Sequence, residues 1–447
     1  MAKIFFSGIG GSGMSAMAGF LADKGNIIAG SDRLFDRIPD HPLSAVLKFK
    51  GIEIVPHDGS GIDRSFDFAV FSTAVEKDQP DAVKARQLGI TVKLRPYFLN
   101  ELISSYKTLA VAGTSGKSTT AGMLAFLMQR LGLNPNFIGG GRVKHFKSPD
   151  NLGNSLAGSS DFLIAEACES DGSIIDYHPF HAIIMSLTLD HNPVEKTALM
   201  FEALSNNTKG LVVVNADDSN LVRCNFKNQI KFSIHANSEY RAEDIEYRPL
   251  GTTFQLKGVN FRLSLPGEHN LYNALSCIAL LSEMGVRLSD MPDVLADFSG
   301  LDRRFDIHLN DGRHLVVDDY AHNPHKISFL METVKNICLS ACYVFQPHGF
   351  GPTRLMKQGY IDIFVQKLRG DDHLILFPIY YAGGSSQKDI SSDDLCREIR
   401  AAGKSVEVLK ERSFLLKRLR EWDNYIIFGA RDESLADFAG EIASRLK

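Results

Sequence analysis

Residues 108–120, TLAVAGTSGKSTT, have the composition of a nucleotide-phosphate site. An apolar run gives way to a glycine-rich turn, and an amphipathic helical pattern follows through Leu131. Glycines let backbone N–H groups point into such a turn, and the N-terminus of the next helix adds partial positive charge. Lys117 would reach the β- and γ-phosphates, and Ser118 would bind Mg²⁺. The predicted ATP loop comprises Gly113, Thr114, Ser115, Gly116, Lys117, Ser118 and Thr119.

This turn is shorter than the full P-loop pattern, because Val111 stands where that pattern has its first glycine. The alternative is an ordinary glycine turn between a strand and a helix. Lys117 and Ser118 directly after a glycine, at the start of a helix, favour phosphate binding over that alternative.

A second glycine cluster lies near the N-terminus. The run KIFFSGI leads into Gly8-x-Gly10-x-x-Gly13, a helical pattern follows, and the next strand ends at Asp32. This is the pattern of a βαβ dinucleotide-binding unit, in which Asp32 would contact a ribose hydroxyl. The residues alone leave open whether the cluster binds NAD(P), binds another pyrophosphate or only packs a helix against a strand.

Further polar groups follow predicted strands. Ligands gather at the carboxyl ends of strands in open α/β sheets. Glu166 would hold Mg²⁺ beside the phosphates, and His191 would be a second metal ligand, a phosphate contact or neither. The four predicted strand-end groups are Glu166, Asp190 with His191, Asp318 with Asp319, and Gln346-Pro347-His348.

Two arginines and two asparagines are the remaining candidate site residues. Arg303 and Arg304, with Lys117, would stabilise the charge of a migrating phosphoryl group, unless they form a surface salt-bridged pair. Asn270 and Asn273 lie three residues apart at a helix start and share one face. That face would meet an adenine or a phosphate, or the two amides would cap the helix.

Strand–helix alternation predicts the elements that position these groups. The 447 residues, 44% hydrophobic and 23% charged, suffice for two to four domains with full cores. We predict an α/β fold of three domains, each built on strands that alternate with helices. They are a Rossmann-like domain over 1–104, a central mixed α/β P-loop ATPase domain over 105–298, and a doubly wound α/β domain over 299–447.

The composition and charge of the chain indicate which classes of partner it lacks. A net charge of −4 gives no indication of nucleic-acid binding. The six cysteines are scattered without a CxxC pair, as in reduced intracellular proteins. No apolar run is long enough to span a membrane, and the N-terminus lacks a signal-peptide pattern. We therefore expect a cytoplasmic protein without membrane or nucleic-acid partners, and by default a monomer or loose dimer.

Several segments, in this order, resemble the Mur ligase family. They are GIGGSGMSAMA and AGSD, then AGTSGKSTT, EACESDGS, LDH and HNLYNAL, and finally LDRRFD, VVDDYAHNP and FQPH. The resemblance covers essentially the whole chain and implies domains for a UDP-sugar, for ATP, and for ATP with the incoming amino acid. It also implies that ATP activates a carboxylate as an acyl phosphate, which an amine attacks. The most similar branch joins UDP-N-acetylmuramate to L-alanine in peptidoglycan precursor synthesis.

The resemblance also implies roles for residues. The UDP-sugar would be bound by Gly10, Gly11, Ser12, Gly13, Met14 and Asp32. The catalytic residues would be Lys117, Glu166, His191 and Arg304, of which Glu166 and His191 would join Ser118 as Mg²⁺ ligands. Asn270 and Asn273 would approach adenine, and Asp319 the ATP ribose. His348 and Arg354 would form the amino-acid site.

The departures from the family pattern affect the acceptor. That branch continues FQPH with the arginine-rich RYTRTR, whereas this chain continues with residues 349–354, GFGPTR, and lacks two of the three arginines. An arginine binds a carboxylate through two parallel N–H groups, and losing one such arginine costs about 1–3 kcal/mol of binding free energy. Cys168 stands where an aspartate is usual, and Lys196 is too early to match the lysine that some relatives carbamylate.

The motifs and the departures from the family pattern leave four candidate functions. The first is the ligase that uses L-alanine, and the second is a paralogue that adds a recycled peptide or another amino acid. A nucleotide-binding sensor without turnover is the third. Ser115 and Cys168 favour it, whereas the residues that oppose it are Lys117, Glu166, His191 and Arg304. A nicotinamide-dependent oxidoreductase is the fourth, but it leaves the loop around Lys117 unexplained.

Overall fold

The computed structural model describes residues 1–190, 192–381 and 387–447. These residues form two compact units, 1–301 and 302–447, which we describe separately. The first unit contains two large sheets, and the second contains one. The predicted boundary between the first two domains falls inside the first unit.

The N-terminal sheet is parallel, with strand order β3-β2-β1-β4-β5. Its strands are β1 (Lys3–Ser7), β2 (Ile27–Ser31), β3 (Glu53–Val55), β4 (Phe68–Phe71) and β5 (Val92–Leu94). Its helices are α1 (Ser12–Asp23), α2 (Arg33–Arg37), α3 (Pro42–Phe49), α4 (Pro80–Leu88) and α5 (Arg95–Ser105). Both β1 and β2 are almost continuously apolar and buried, as expected for a sheet covered on both faces.

The central sheet has eight strands in the order β10-β7-β11-β6-β12-β13-β14-β15, and only the β7–β10 pair is antiparallel. Its strands are β6 (Lys107–Ala112), β7 (Asn136–Ile138), β10 (Ser155–Leu156), β11 (Phe162–Glu166), β12 (His181–Ile184), β13 (Val212–Asn215), β14 (Gln229–Ser233) and β15 (Tyr240–Arg241). A small pair, β8 (Lys147–Ser148) and β9 (Asn151–Leu152), precedes β10.

Helices and a second small sheet enclose the central sheet. The helices are α6 (Lys117–Arg130), α7 (Val194–Asn207), α8 (Glu268–Glu283) and α9 (Pro292–Asp297). The antiparallel meander consists of β16 (Glu243–Arg248), β17 (Gly251–Leu256) and β18 (Val259–Leu263). Residues 119–128 of α6 are all buried, which holds the phosphate loop at its N-terminus on a rigid support.

The C-terminal sheet has the order β19-β20-β24-β21-β22-β23, with β19 antiparallel at the edge. Its strands are β19 (Asp306–Asn310), β20 (Leu315–Asp319), β21 (Cys342–Gln346), β22 (His373–Leu376), β23 (Val406–Val408) and β24 (Asn424–Gly429). Its helices are α10 (Pro324–Lys335), α11 (Phe350–Leu355), α12 (Lys357–Lys367), α13 (Ser392–Ala401), α14 (Arg412–Leu416) and α15 (Ser434–Leu446). Because β20, β24 and β21 are adjacent and parallel, their carboxyl ends meet at one edge.

Among the described residues, no helix has the length and apolar character needed to cross a membrane.

Candidate active site

The phosphate loop between β6 and α6 requires its two glycines. Gly113 has φ +135° and Gly116 has φ +85°, in the region that L side chains rarely adopt. A Cβ on Gly116 would lie 2.8 Å from Oδ1 of Asn273. A Cβ on Gly113 would lie 3.1 Å from the backbone nitrogen of Ser186. The backbone therefore turns tightly against its neighbours before α6 begins.

The segment after β12 supports this loop. We predicted that Asp190 and His191 end a strand, but β12 already ends at Ile184, so Asp190 does not end a strand. The chain instead leaves the sheet to bond the loop: Thr114 N donates to Ser186 O at 3.0 Å, and Ser115 N donates to Ser186 Oγ at 2.9 Å. The Thr114 hydroxyl lies 3.0 Å from that of Thr188. Ser186 and Thr188 thus fix the loop, a role that the sequence analysis missed.

Lys117 is held by a buried carboxylate. Its Nζ lies 2.8 Å from Oε2 of Glu169 and also donates to the carbonyl of Gly113. Burial alone would lower the pKa of Lys117, but the Glu169 carboxylate, together with Cys168 and Glu166, outweighs burial and raises that pKa. Lys117 is therefore a fixed cation beside the loop. Glu169 was not among the predicted site residues, although it lies within the segment EACESDGS.

Ser118 and Glu166 lie side by side, as predicted for a pair of oxygen ligands. Ser118 Oγ donates to Oε2 of Glu166 at 2.9 Å, and the N–H of Gly140 donates to the other carboxylate oxygen. Glu166 ends β11, which pairs with β6, so the strand order brings it to the phosphate loop. His191, the third predicted metal ligand, lies outside the described residues.

Asn270 and Asn273 form a buried chain of amides rather than an open face. Asn270 Nδ2 donates to Pro266 O at 2.7 Å, and Asn273 Nδ2 donates to Asn270 Oδ1 at 3.1 Å. Thr120 Oγ1 donates to Asn273 Oδ1 at 3.1 Å. This chain links the start of α8 to the first turn of α6, and its contact with Gly116 brings Asn273 to the phosphate loop.

In the N-terminal glycine cluster, Asp32 organises the turn. Its Oδ2 accepts from Gly10 N at 2.8 Å, and its Oδ1 caps α2 by accepting from Leu34 N at 2.9 Å. Gly11 is the residue before α1. Met14 is 1% exposed and belongs to the core, so its side chain does not face a ligand. Any contribution of Met14 to a UDP-sugar site would come from its backbone.

Contacts within the first unit join this cluster to the central sheet. Arg95, at the start of α5, forms an ion pair with Asp171 at 2.8 Å. A Cβ on Gly13 would lie 3.5 Å from Nη1 of the same arginine. The carbonyl of Ser12 accepts from Nδ2 of Asn154 at 3.0 Å. The predicted glycine cluster and the loop that carries Glu169 and Asp171 are therefore linked through short contacts of Arg95.

In the C-terminal unit, the two arginines do not form the surface pair that was the alternative prediction. Arg303 is buried, and its Nε lies 3.2 Å from Oδ2 of Asp318. Burial raises the pKa of Asp318 to about 7. The guanidinium groups of Arg303 and Arg304 both lie over the ring of Tyr320, 5.4 and 5.0 Å from its centroid. Arg303 is therefore buried and paired, whereas Arg304 is half-buried.

Asp319 has both carboxylate oxygens engaged. They accept from Phe305 N and Ala321 N, each at 2.7 Å. Burial raises the pKa of this carboxyl, whereas the charge of Arg304 lowers it. Asp319 thus ties β20 to the loop that carries Arg304.

The predicted amino-acid residues His348 and Arg354 differ in setting. His348 follows β21 and stacks on Tyr380, with ring centroids 5.8 Å apart. Burial, together with the positive charge of Arg431, lowers its pKa. Arg354 has a side chain that is 43% exposed and forms an ion pair with Asp389. His348 therefore lies just beyond the carboxyl end of β21, whereas Arg354 lies in a surface ion pair with Asp389.

Comparison with known proteins agrees with this arrangement. Three family models match successive parts of the chain: "Mur ligase family, catalytic domain" over 3–107, "Mur ligase middle domain" over 111–281 and "Mur ligase, glutamate ligase domain" over 303–444. The UDP-N-acetylmuramate–L-alanine ligase of Caldicellulosiruptor saccharolyticus is 31% identical, with 97% of this chain and 96% of the relative covered. The chain belongs to the Mur ligase family. This Mur ligase is accordingly an ATP-dependent ligase.

Other relatives support the same placement of this Mur ligase. The enzyme of that name from Persephonella marina is 32% identical over 96% of this chain and 94% of its own. The crystal structure of UDP-N-acetylmuramate–alanine ligase from Thermotoga maritima is 26% identical, with a TM-score of 0.83 over 100% of this chain and 99% of that chain. A murein peptide ligase from Psychrobacter arcticus shares the fold at 21% identity and a TM-score of 0.70, covering 100% and 99%. The predicted three-domain α/β fold is confirmed.

Proposed function

We propose that this Mur ligase joins the carboxylate of UDP-N-acetylmuramate to L-alanine, at the expense of ATP. The observation that carries the proposal is the fixed ammonium of Lys117, which lies beside a glycine loop at a helix N-terminus. The full-length similarity to relatives that bear this activity in their names supports the choice of substrates.

Membership of the Mur ligase family implies the chemistry of this reaction. The UDP-N-acetylmuramate carboxylate attacks the γ-phosphorus of ATP, ADP leaves, and an acyl phosphate forms. The amine of the acceptor then attacks the acyl carbon, and phosphate leaves from a tetrahedral intermediate. Lys117 and Arg304 would offset the charge on the phosphoryl oxygens, and the backbone N–H groups around Gly116 would bind them.

The donor set at Ser118 and Glu166 suits Mg²⁺, because a hydroxyl and a carboxylate lie together next to the phosphate loop. Hard oxygen ligands, completed by water and substrate phosphates, are what this ion prefers. Ser118 and Glu166 would hold the ion, with His191 as the third proposed ligand, and bound Mg²⁺ would neutralise phosphate charge.

The other proposed roles rest on the sequence together with position. The turn of Gly10, Gly11 and Gly13 would bind the UDP pyrophosphate, and Asn273 would serve the nucleotide of ATP. The proposed domain boundaries remain 104/105 and 298/299. We propose a cytoplasmic protein that is a monomer or loose dimer.

A paralogue that adds a peptide is the second candidate function. The chain replaces two arginines after Gln346-Pro347-His348, and structures of murein peptide ligases share its fold. The acceptor distinguishes the two functions.

The test is phosphate release from ATP in the presence of UDP-N-acetylmuramate, screened over single amino acids and short peptides, with product masses measured. Release with L-alanine and the matching amide product is expected, and Lys117→Ala should abolish both. Release only with a peptide would establish the paralogue. Failure to release phosphate with every acceptor, or full activity of Lys117→Ala, would refute ligase activity at this site.

A further inference from the structure

Arg431 lies at the carboxyl ends of the strands of the C-terminal sheet and was not among the predicted site residues. Arg431 follows β24, and β24 lies between β20 and β21 in the sheet. Its backbone N–H donates to Nδ1 of His348 at 3.4 Å. Arg431 therefore lies beside the predicted amino-acid residue, although it is 83 positions away in the chain.

The side chain of Arg431 is exposed and oriented by an aromatic residue. Its Nε donates to the hydroxyl of Tyr320, which follows β20. Arg304 lies over the ring of the same tyrosine. Arg303 lies over this ring as well. Tyr320 therefore contacts Arg431 through its hydroxyl, on the side of His348, and Arg304, assigned to phosphate, through its ring.

Arg431 differs from nearby arginines in its charge partners. In the part of the chain that the structure describes, Arg431 forms no ion pair with a carboxylate. Arg412 pairs with Asp432. Arg354 uses Nε and Nη2 on Asp389 and donates to Gln387 O at 3.0 Å as well. The guanidinium of Arg354 is thus engaged by protein acceptors, whereas Arg431 keeps donors for a ligand.

We propose that Arg431 binds the α-carboxylate of the incoming amino acid and replaces the arginines missing after His348. This inference rests on the proposed function. A guanidinium offers parallel N–H groups that match the two oxygens of a carboxylate. The lowered pKa of His348 keeps its imidazole neutral near pH 7, so the positive charge at this point comes from Arg431. The acceptor class is therefore an amino acid with a free α-carboxylate.

The experiment compares L-alanine with L-alaninamide, which has the same amine and side chain but no carboxylate. Phosphate release gives KM and kcat for both acceptors in the full-length wild type and in Arg431→Ala, Arg431→Lys and Arg354→Ala. Arg445→Gln, which removes a surface arginine paired with Glu441, is the matched control. Hydroxylamine, a carboxylate-free nucleophile, traps the acyl phosphate as a hydroxamate in each protein.

We expect Arg431→Ala to raise KM for L-alanine by about 10- to 100-fold, the usual range for a lost charge-assisted hydrogen bond. KM for ATP, activity with L-alaninamide and hydroxamate formation should stay within twofold. Arg431→Lys should recover part of the L-alanine affinity, because it keeps the charge without the fork. Arg445→Gln should behave like the wild type.

Other outcomes would overturn the inference. They are an unchanged KM for L-alanine in Arg431→Ala, an equal loss with L-alanine and L-alaninamide, or the specific loss appearing in Arg354→Ala instead. Failure of the proposed function has a different signature, namely that the wild type forms no hydroxamate from UDP-N-acetylmuramate and ATP.

Discussion

Lys117 Nζ lies 2.8 Å from Oε2 of Glu169, and the two side chains are 15% and 1% exposed. The other carboxylate oxygen, Oε1, is buried and has no hydrogen-bond partner in the described part of the chain. The pair is therefore asymmetric: Lys117 can reach solvent or a phosphate, whereas Glu169 depends on Lys117.

This asymmetry predicts unequal effects of removing the partners. Lys117→Ala leaves a buried carboxylate unpaired and should lower the free energy of unfolding by about 3–5 kcal/mol. Glu169→Gln should cost less, because Lys117 keeps the Gly113 carbonyl and partial contact with water. Urea unfolding of both variants measures the difference, and the opposite order would contradict the asymmetry.

The double variant Lys117→Met/Glu169→Gln separates stability from catalysis. It removes both charges, so it should be more stable than Lys117→Ala, because no buried charge is left without its partner. It should still release no phosphate, because the cation at the loop is gone. Phosphate release by the folded double variant would mean that Lys117 is dispensable for turnover.

The glycine at the start of α6 offers a second prediction. Gly116→Ala places a Cβ 2.8 Å from Asn273 Oδ1 at φ +85°. Gly132→Ala, after the end of the same helix at φ +78°, meets none of the described residues within 4 Å. Gly132→Ala should cost only the left-handed strain, about 1–2 kcal/mol. Gly116→Ala should cost more and should weaken ADP binding at least about tenfold, because loop donors move.

Calorimetric titration with ADP and thermal unfolding of both variants provide the measurement. Equal losses of nucleotide affinity in the two alanine variants would contradict a specific role of the Gly116 turn.

The proposed Mg²⁺ ligands give a third prediction. Ser118→Ala and Glu166→Gln each remove one oxygen donor, so both should raise the Mg²⁺ concentration that supports half-maximal phosphate release. Binding of Mg·ADP should weaken while binding of ADP in excess EDTA changes little. Ser148→Ala, which alters an exposed hydroxyl in the same domain, is the control. An unchanged Mg²⁺ requirement in both ligand variants would remove Ser118 and Glu166 from the ion.

Much of the fold follows from local pattern. The glycine turns, the apolar strands β1, β6 and β11, and the helix after Lys117 are continuous segments whose periodicity predicts them. The strand that begins at His181 was predicted to run up to Asp190, because the apolar pattern continues to Leu189, but it ends at Ile184. Hydrogen bonds from Ser186 and Thr188 to the phosphate loop compete with the sheet there, and such long-range bonds leave no local signal.

The site residues that were predicted also follow from local pattern, whereas those that were missed depend on long-range contacts. Ser118 and Glu166 were predicted to lie together, since strand ends in a parallel sheet converge. Glu169, Tyr320 and Arg431 were missed as site residues because their significance lies in which side chains they meet. Arg354 was selected for its position in a motif, but the motif does not indicate that Asp389 engages it.

The fourth prediction concerns a buried cluster under the N-terminal glycine turn. His57 Nδ1 lies 3.0 Å from Oδ2 of Asp81, which also accepts from the hydroxyls of Ser7 and Ser31 at the ends of β1 and β2. The hydrogen bond to Asp81 raises the pKa of His57 above 6.5, although burial opposes this. Burial alone would raise the pKa of Asp81, but hydrogen bonds from His57, Ser31 and Ser7 lower it below 3.8.

The two shifts define a pH window. His57, with a raised pKa, contributes stability that is fully present below 6.5 and is lost as the pH rises through its folded value. Asp81, with a lowered pKa, contributes stability that is present above 3.8 and is lost as the pH falls through its folded value. The cluster should therefore stabilise the protein most between these limits.

We expect the wild type to lose more unfolding free energy between about pH 6 and about pH 9 than His57→Gln does, by about 1.4 kcal/mol for each unit by which the pKa of His57 is raised. Urea unfolding at a series of pH values measures both proteins. Their difference cancels the contributions of other histidines, such as His181, whose pKa is lowered by burial. Parallel pH profiles for the two proteins would show that His57 is not held as an imidazolium by Asp81.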